Sequence, residues 1–112
     1  MNDRPVANGQ SVTTAEDTAK AIAPTALAVT VPTATGTLIL NWSCTATNED
    51  GFKVERSLNG SSGWSQISTT GINIHTFTNT GLTSNTRYYY RVRGYNRLGD
   101  SAYSGTVNAK AR

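Results

Sequence analysis

The sequence is short of charge, cysteine and long apolar runs, and each shortage excludes something. Only 15% of its 112 residues are charged, against about 25% in ordinary soluble domains. The net charge of +3 comes without any run of Lys or Arg, so nucleic acid is not implied as a partner. The single cysteine, Cys44, cannot close an internal disulfide, and with one histidine, His75, it cannot build a structural zinc site. No apolar stretch approaches the roughly 18 residues of a membrane span. The start also lacks the basic segment and apolar stretch of a signal peptide, so no membrane insertion is expected. Stability must therefore come from an ordinary hydrophobic core.

What the chain has instead is 18 Thr, 10 Ser, 10 Asn and 10 Gly, together 48 of 112 positions. That mixture suits short strands and turns rather than helices. With 37% hydrophobic residues, two Trp, five Tyr and two Phe, one domain of about 90 ordered residues can bury enough apolar surface to fold alone. Residues 1–23 differ from the rest. They hold no aromatic residue and carry a charge of −1, against +4 for residues 24–112, and they read as a flexible leader or linker. Two alternatives for this stretch are a weak helix over residues 14–23 and an extra edge strand over residues 6–14.

From Pro24 onward, alternation marks the strands. TALAVTV is a weak first strand, placed at an edge by Pro24 and Pro32, which lack backbone donors. In GTLILNWSC, Leu38, Leu40, Trp42 and Cys44 share one face. Phe52, Val54 and Arg56 alternate with Lys53, Glu55 and Ser57. Short strands follow around residues 64–68 and 74–78, and Asn59 with Gly60 makes a flexible connection able to take positive φ. In TRYYYRVRGYN, Tyr88, Tyr90 and Val92 point inward, and Tyr89, Arg91, Arg93 and Tyr95 outward. SAYSGTVNAKA closes the chain. Seven short strands with turn signals at this spacing predict an all-β sandwich.

At these residues a family resemblance enters. Leu40 and Trp42, GFKVERS, GWSQI, FTNTGL, TRYYYRVRGYN and GDSAYS, in that order, resemble a bacterial fibronectin type III domain over about residues 24–112. The resemblance implies a seven-stranded immunoglobulin-like β-sandwich with Leu40, Trp42, Val54, Leu82, Tyr88, Tyr90 and Val92 in its core. Within it, Leu82 and Tyr88 resemble the tyrosine corner, in which the phenol bonds to backbone upstream. RPVANGQSVTTAEDTAKAI is similar to the opening of bacterial cadherin-like or immunoglobulin-like repeats. The acidic calcium segments of those repeats are absent, so calcium is not expected.

Catalytic chemistry has little support. His75 stands alone in a predicted strand, without a nucleophile or orienting acid. Glu49 and Asp50 are adjacent and point apart in a turn, unlike the opposed carboxylates of glycoside hydrolysis. Cys44 reads as a small buried or half-buried hydrophobe. No enzyme activity, cofactor or metal is expected. Arg97, Leu98, Gly99 and Asp100 form a turn in which Leu98 interrupts any Arg-Gly-Asp recognition. The sequons at Asn41 and Asn59 are not expected to be used.

The candidate binding residues are Trp64, Tyr89, Arg91, Arg93 and Tyr95, a basic and aromatic stripe beside Lys53 and Glu55. Such a stripe can stack on a glycan or contact a protein. The competing expectation is that Arg91 or Arg93 pairs with Glu55 across the sheet and that Trp64 packs with Ile67 over the sheet edge. The reading adopted is a non-catalytic, monomeric spacer of a secreted or cell-surface bacterial protein that positions neighbouring domains. Binding of polysaccharide or a cell-surface protein by the stripe is the alternative.

Overall fold

The computed structural model describes residues 21–44 and 48–112; the expectations for residues 1–20, whether leader, helix or edge strand, lie outside the described residues. Among the described residues there are eight strand segments: β1 Thr25–Thr30, β2 Leu38–Ser43, β3 Gly51–Ser57, β4 Ser65–Thr70, β5 Thr76–Asn79, β6 Arg87–Asn96, β7 Gly99–Asp100 and β8 Val107–Lys110. A three-stranded sheet, β1-β2-β5, packs on a sheet in which β4, β3 and β6 are neighbours and both β7 and β8 pair with the remaining side of β6. Every pairing among these strands is antiparallel. This is the all-β sandwich that alternation and turn spacing predict, of the immunoglobulin-like kind that the family resemblance implies.

The seventh expected strand is split. β7 and β8 share one edge of β6, but residues 101–106 between them are not a regular strand. Ser101 and Ser104 bridge the gap. Their N–H groups donate to Gly94 O at 2.8 Å and Val92 O at 2.7 Å. The return bonds, from the N–H of Gly94 and Val92, end on the serine hydroxyls at 2.9 and 3.0 Å. Each hydroxyl then donates to a carbonyl of its own segment, Ala102 O or Gly105 O. The side chains thus satisfy backbone donors that carbonyls would take in an unbroken ladder. GDSAYS is therefore corrected from a continuous strand to a two-residue strand followed by this hydroxyl-bridged segment.

The period of two along β2, β3 and β6 builds the core. Leu38, Leu40, Phe52, Val54, Tyr90 and Val92 are fully buried, with Trp42 and Tyr88 nearly so, while Leu82 is half-buried against them. Burying each large apolar side chain contributes about 1.5–3 kcal/mol. The Trp42 and Phe52 rings meet edge to face at 5.6 Å.

Polar ties close the core at the end where the chain leaves. Tyr90 donates its hydroxyl to Asn79 Oδ1 at 2.7 Å, and Arg56, on the inward side of β3, donates to the same oxygen at 3.2 Å. The Tyr88 hydroxyl accepts the Thr83 N–H at 2.9 Å. Gly36 links the same corner to the last residue: Leu82 N–H donates to Gly36 O, and Gly36 N–H to Arg112 O. Its φ of +65°, and a would-be Cβ 2.8 Å from Leu82 O, leave no room for another residue.

Candidate functional site

The outer face of the larger sheet gathers the predicted stripe. Cross-strand register puts Lys53 opposite Arg93, Glu55 opposite Arg91 and Ser57 opposite Tyr89. Tyr89, Arg91, Arg93 and Tyr95 are all half-buried, and Trp64, just ahead of β4, is half-buried too.

The charges on this face meet one another. Arg91 holds Glu55 Oε1 through Nε at 2.9 Å and Nη2 at 2.8 Å. Arg93 Nη2 lies 3.6 Å from Glu55 Oε2 and 3.3 Å from Asp100 Oδ2. Lys53 Nζ reaches Asp100 Oδ1 at 2.8 Å. The hydrogen bond from Lys53, with the nearby Arg93 charge, holds the Asp100 carboxyl below its ordinary range against a smaller opposing effect of burial. Glu55 itself is only 6% exposed. A buried carboxylate needs such partners to stay charged.

The aromatic rings are taken up in the same way. The Arg91 guanidinium carbon stands 3.7 Å from the Tyr103 ring centre and 4.2 Å from that of Trp64. Arg93 lies 4.6 Å over Tyr103, and Lys53 Nζ 5.3 Å over Tyr95. Tyr103 donates its hydroxyl to Glu55 Oε2 at 2.8 Å. Burial first, and the Glu55 hydrogen bond second, push the Tyr103 phenol up. Tyr89 lies against the β3–β4 connection, where a Cβ on Gly60 would come within 2.7 Å of its ring.

That connection is not the flexible one expected from Asn59 and Gly60. Gly60 does take φ +78°, but Asn59 Oδ1 accepts the N–H groups of Ser61 and Ser62, and the Ser57 hydroxyl accepts those of Asn59 and Gly60. The turn is tied by its own short polar side chains.

Cross-strand reasoning could place Arg91 beside Glu55, but it missed Tyr103, Asp100, Ser101 and Ser104. Their signal was weak. Tyr103 and Glu55 are 48 residues apart, and the irregular segment breaks the alternation that would have aimed Tyr103 at the stripe.

The remaining candidates sit elsewhere. His75 precedes β5 rather than lying within it, and its ring meets Phe52 edge-on at 5.3 Å. Asp50 is exposed as expected of a solvated turn, but Glu49 is only 4% exposed and accepts the Cys44 thiol at 2.8 Å. Asp100 belongs to the charge network, so the Arg97–Asp100 turn does not present its carboxylate as a free recognition group. Among the described residues no group of three His, Cys, Asp or Glu side chains converges as a metal site would require. No described helix is long and apolar enough to cross a membrane.

Comparison with known proteins agrees with this architecture. The family profile for the fibronectin type III domain matches residues 22–110. Among solved structures, an Fn3-like protein from Clostridium thermocellum is 24% identical over 79% of this chain and 90% of its own, with a TM-score of 0.70. The structure titled FN3tt is 25% identical over 82% and 95%, with a TM-score of 0.71. The FN1–FN3 domains of chicken CNTN1 match at 19% identity and TM-score 0.72, this chain covering 82% of itself and 32% of that three-domain segment. No curated protein matches the sequence.

Proposed function

Because the chain belongs to the fibronectin type III family, whose domains commonly serve as structural modules in multidomain proteins, we propose that this domain is a non-catalytic spacer that positions its neighbours in a secreted or cell-surface bacterial protein.

The observation that carries the reading is where the chain enters and leaves the sandwich. Ala21 and Ile22 pack beside Gly94, whose would-be Cβ lies 3.5 Å from Ala21 Cβ and 3.3 Å from Ile22 O. This is the end at which Thr25 pairs with Ser43. Arg112 sits at the other end, with its carbonyl on Gly36 N–H and its Nε donating to Pro32 O. Neighbours attached at opposite ends string in line. The engaged outer face supports the same reading, since its rings and charges are already in contact with each other.

A two-dimensional amide spectrum of the chain, recorded with a panel of plant and bacterial polysaccharides, tests it. The expectation is no shift at Trp64 or at Tyr89, Arg91, Arg93 and Tyr95. Saturable shifts clustered there would make the domain a binding module and remove the spacer reading.

A further inference from the structure

The surroundings of Arg91 amount to a complete recognition site for a guanidinium ion. Two aromatic rings stand at 3.7 and 4.2 Å from its central carbon, well inside the about 6 Å at which a ring face attracts a cation. The Glu55 carboxylate takes two of its nitrogens on one oxygen. Tyr103 closes the set by donating to the other Glu55 oxygen. The planar cation is stacked and neutralised at once, the combination that distinguishes Arg from Lys.

The groups come from separate parts of the chain: Glu55 from β3, Trp64 from the approach to β4, Arg91 from β6 and Tyr103 from the irregular segment. That segment is also where the ladder on β6 depends on two serine hydroxyls. We propose that Trp64, Tyr103 and Glu55 form a guanidinium-binding cage that the chain fills from within with Arg91, and that this filling holds residues 101–106 on β6. The inference does not depend on the spacer reading. In the native chain the cage is closed to external cations; when Arg91 is truncated it accepts a free guanidinium ion.

The experiment uses the full chain with methylguanidinium as the probe and methylammonium as the control. In the native protein the Trp64 indole N–H resonance stays in place with either salt. Arg91→Ala lowers the thermal midpoint by about 5–10 °C, and millimolar methylguanidinium restores part of it with a saturable shift of the Trp64 resonance. Methylammonium does neither. The Trp64→Ala/Arg91→Ala double variant shows no recovery. Trp64→Ala alone keeps the Arg91–Glu55 pair and covers the case in which Arg91→Ala does not fold. There, amide exchange at Val92 and Gly94, the donors to the serine hydroxyls, is at least tenfold faster than in the native chain. A probe shift as large in the native protein as in Arg91→Ala, recovery that survives loss of Trp64, or native exchange rates in Trp64→Ala overturn the proposal.

Discussion

The two sheets face solvent in opposite ways. No strand of the three-stranded sheet carries a charged residue; its outer positions include Thr30, Asn41, Ser43, Thr76 and Thr78, all exposed. The larger sheet carries Lys53, Glu55, Arg91, Arg93 and Asp100 on its outer face, linked by four ion pairs. The smaller sheet is held by its ladder and by what β2 buries. The larger sheet has a broken edge strand, and its outer charges lie where that break needs fastening. A charged and aromatic surface can therefore be a fastening rather than an invitation to a ligand.

The sharpest way to test the smaller sheet is to remove its largest buried side chain. Trp42→Ala is expected to cost about 3–5 kcal/mol through the cavity left in the core, measured as a fall in the chemical denaturation midpoint. Among the described residues the indole Nε1 has no hydrogen-bond partner, so the loss is one of packing. An unchanged midpoint would show that the sheet does not depend on β2 burial.

Tyr88→Phe removes the bond between the phenol and Thr83 N–H and should cost about 1–2 kcal/mol. The same denaturation measurement reads it. A value near zero would mean that solvent replaces the phenol at Thr83 without loss, and that the ring alone holds the corner.

How much of this was legible depends on whether an interaction follows the period of a strand. Leu40, Trp42, Val54, Tyr90 and Val92 announce themselves because alternation and burial are the same fact seen twice. The Arg91–Glu55 pair was within reach, since neighbouring antiparallel strands bring such residues opposite one another. Tyr103 was not, because it leaves a segment that has lost the period. The burial of Glu49 was hidden too, because a turn predicts exposure and only the folded Cys44 thiol shows where the carboxylate goes. Nothing in the composition of β1 marks Ala26 as the residue that takes a left-handed conformation.

Titration separates the outer face of the larger sheet, where Asp100 lies, from its buried face, where Tyr90 lies. The Asp100 carboxyl is held below its ordinary value of 3.8, so its contribution is fully present above the unfolded value and is lost as pH falls through the lower, folded one. Stability measured from about pH 5 downward should decline in the native chain, and Asp100→Asn should flatten part of that decline. Identical acid limbs would remove Asp100 from the fastening. At the other extreme, burial pushes the Tyr90 phenol from 10.0 up to about 12. A raised folded value means stability is complete below the unfolded pKa and lost as pH rises through the folded one. The alkaline decline should therefore run between about pH 10 and 12, and Tyr90→Phe should reduce it.

The smallest expected effect concerns the outer edge of the uncharged sheet. Between Thr25 and Ala28 the pairing with β2 shifts, so that two residues of β1 stand against Trp42 alone, and Ala26 takes φ +55°. An L-residue with a Cβ pays roughly 1–2 kcal/mol for that conformation, whereas glycine adopts it freely at an entropic cost of about 0.5–1 kcal/mol. Ala26→Gly should therefore stabilise the domain by about 0.5–1 kcal/mol, the difference between those two terms. Ala26→Val should destabilise it, because β-branching makes a positive φ harder still. Among the described residues β1 pairs on one side only, and the bulge suits such an edge without charges: it interrupts the regular row of backbone groups that another strand would pair with, a task that Lys or Arg side chains perform elsewhere. If thermal midpoints show Ala26→Gly and Ala26→Val moving in the same direction, the bulge is not what sets the conformation of Ala26, and the uncharged edge is guarded by some other feature of β1.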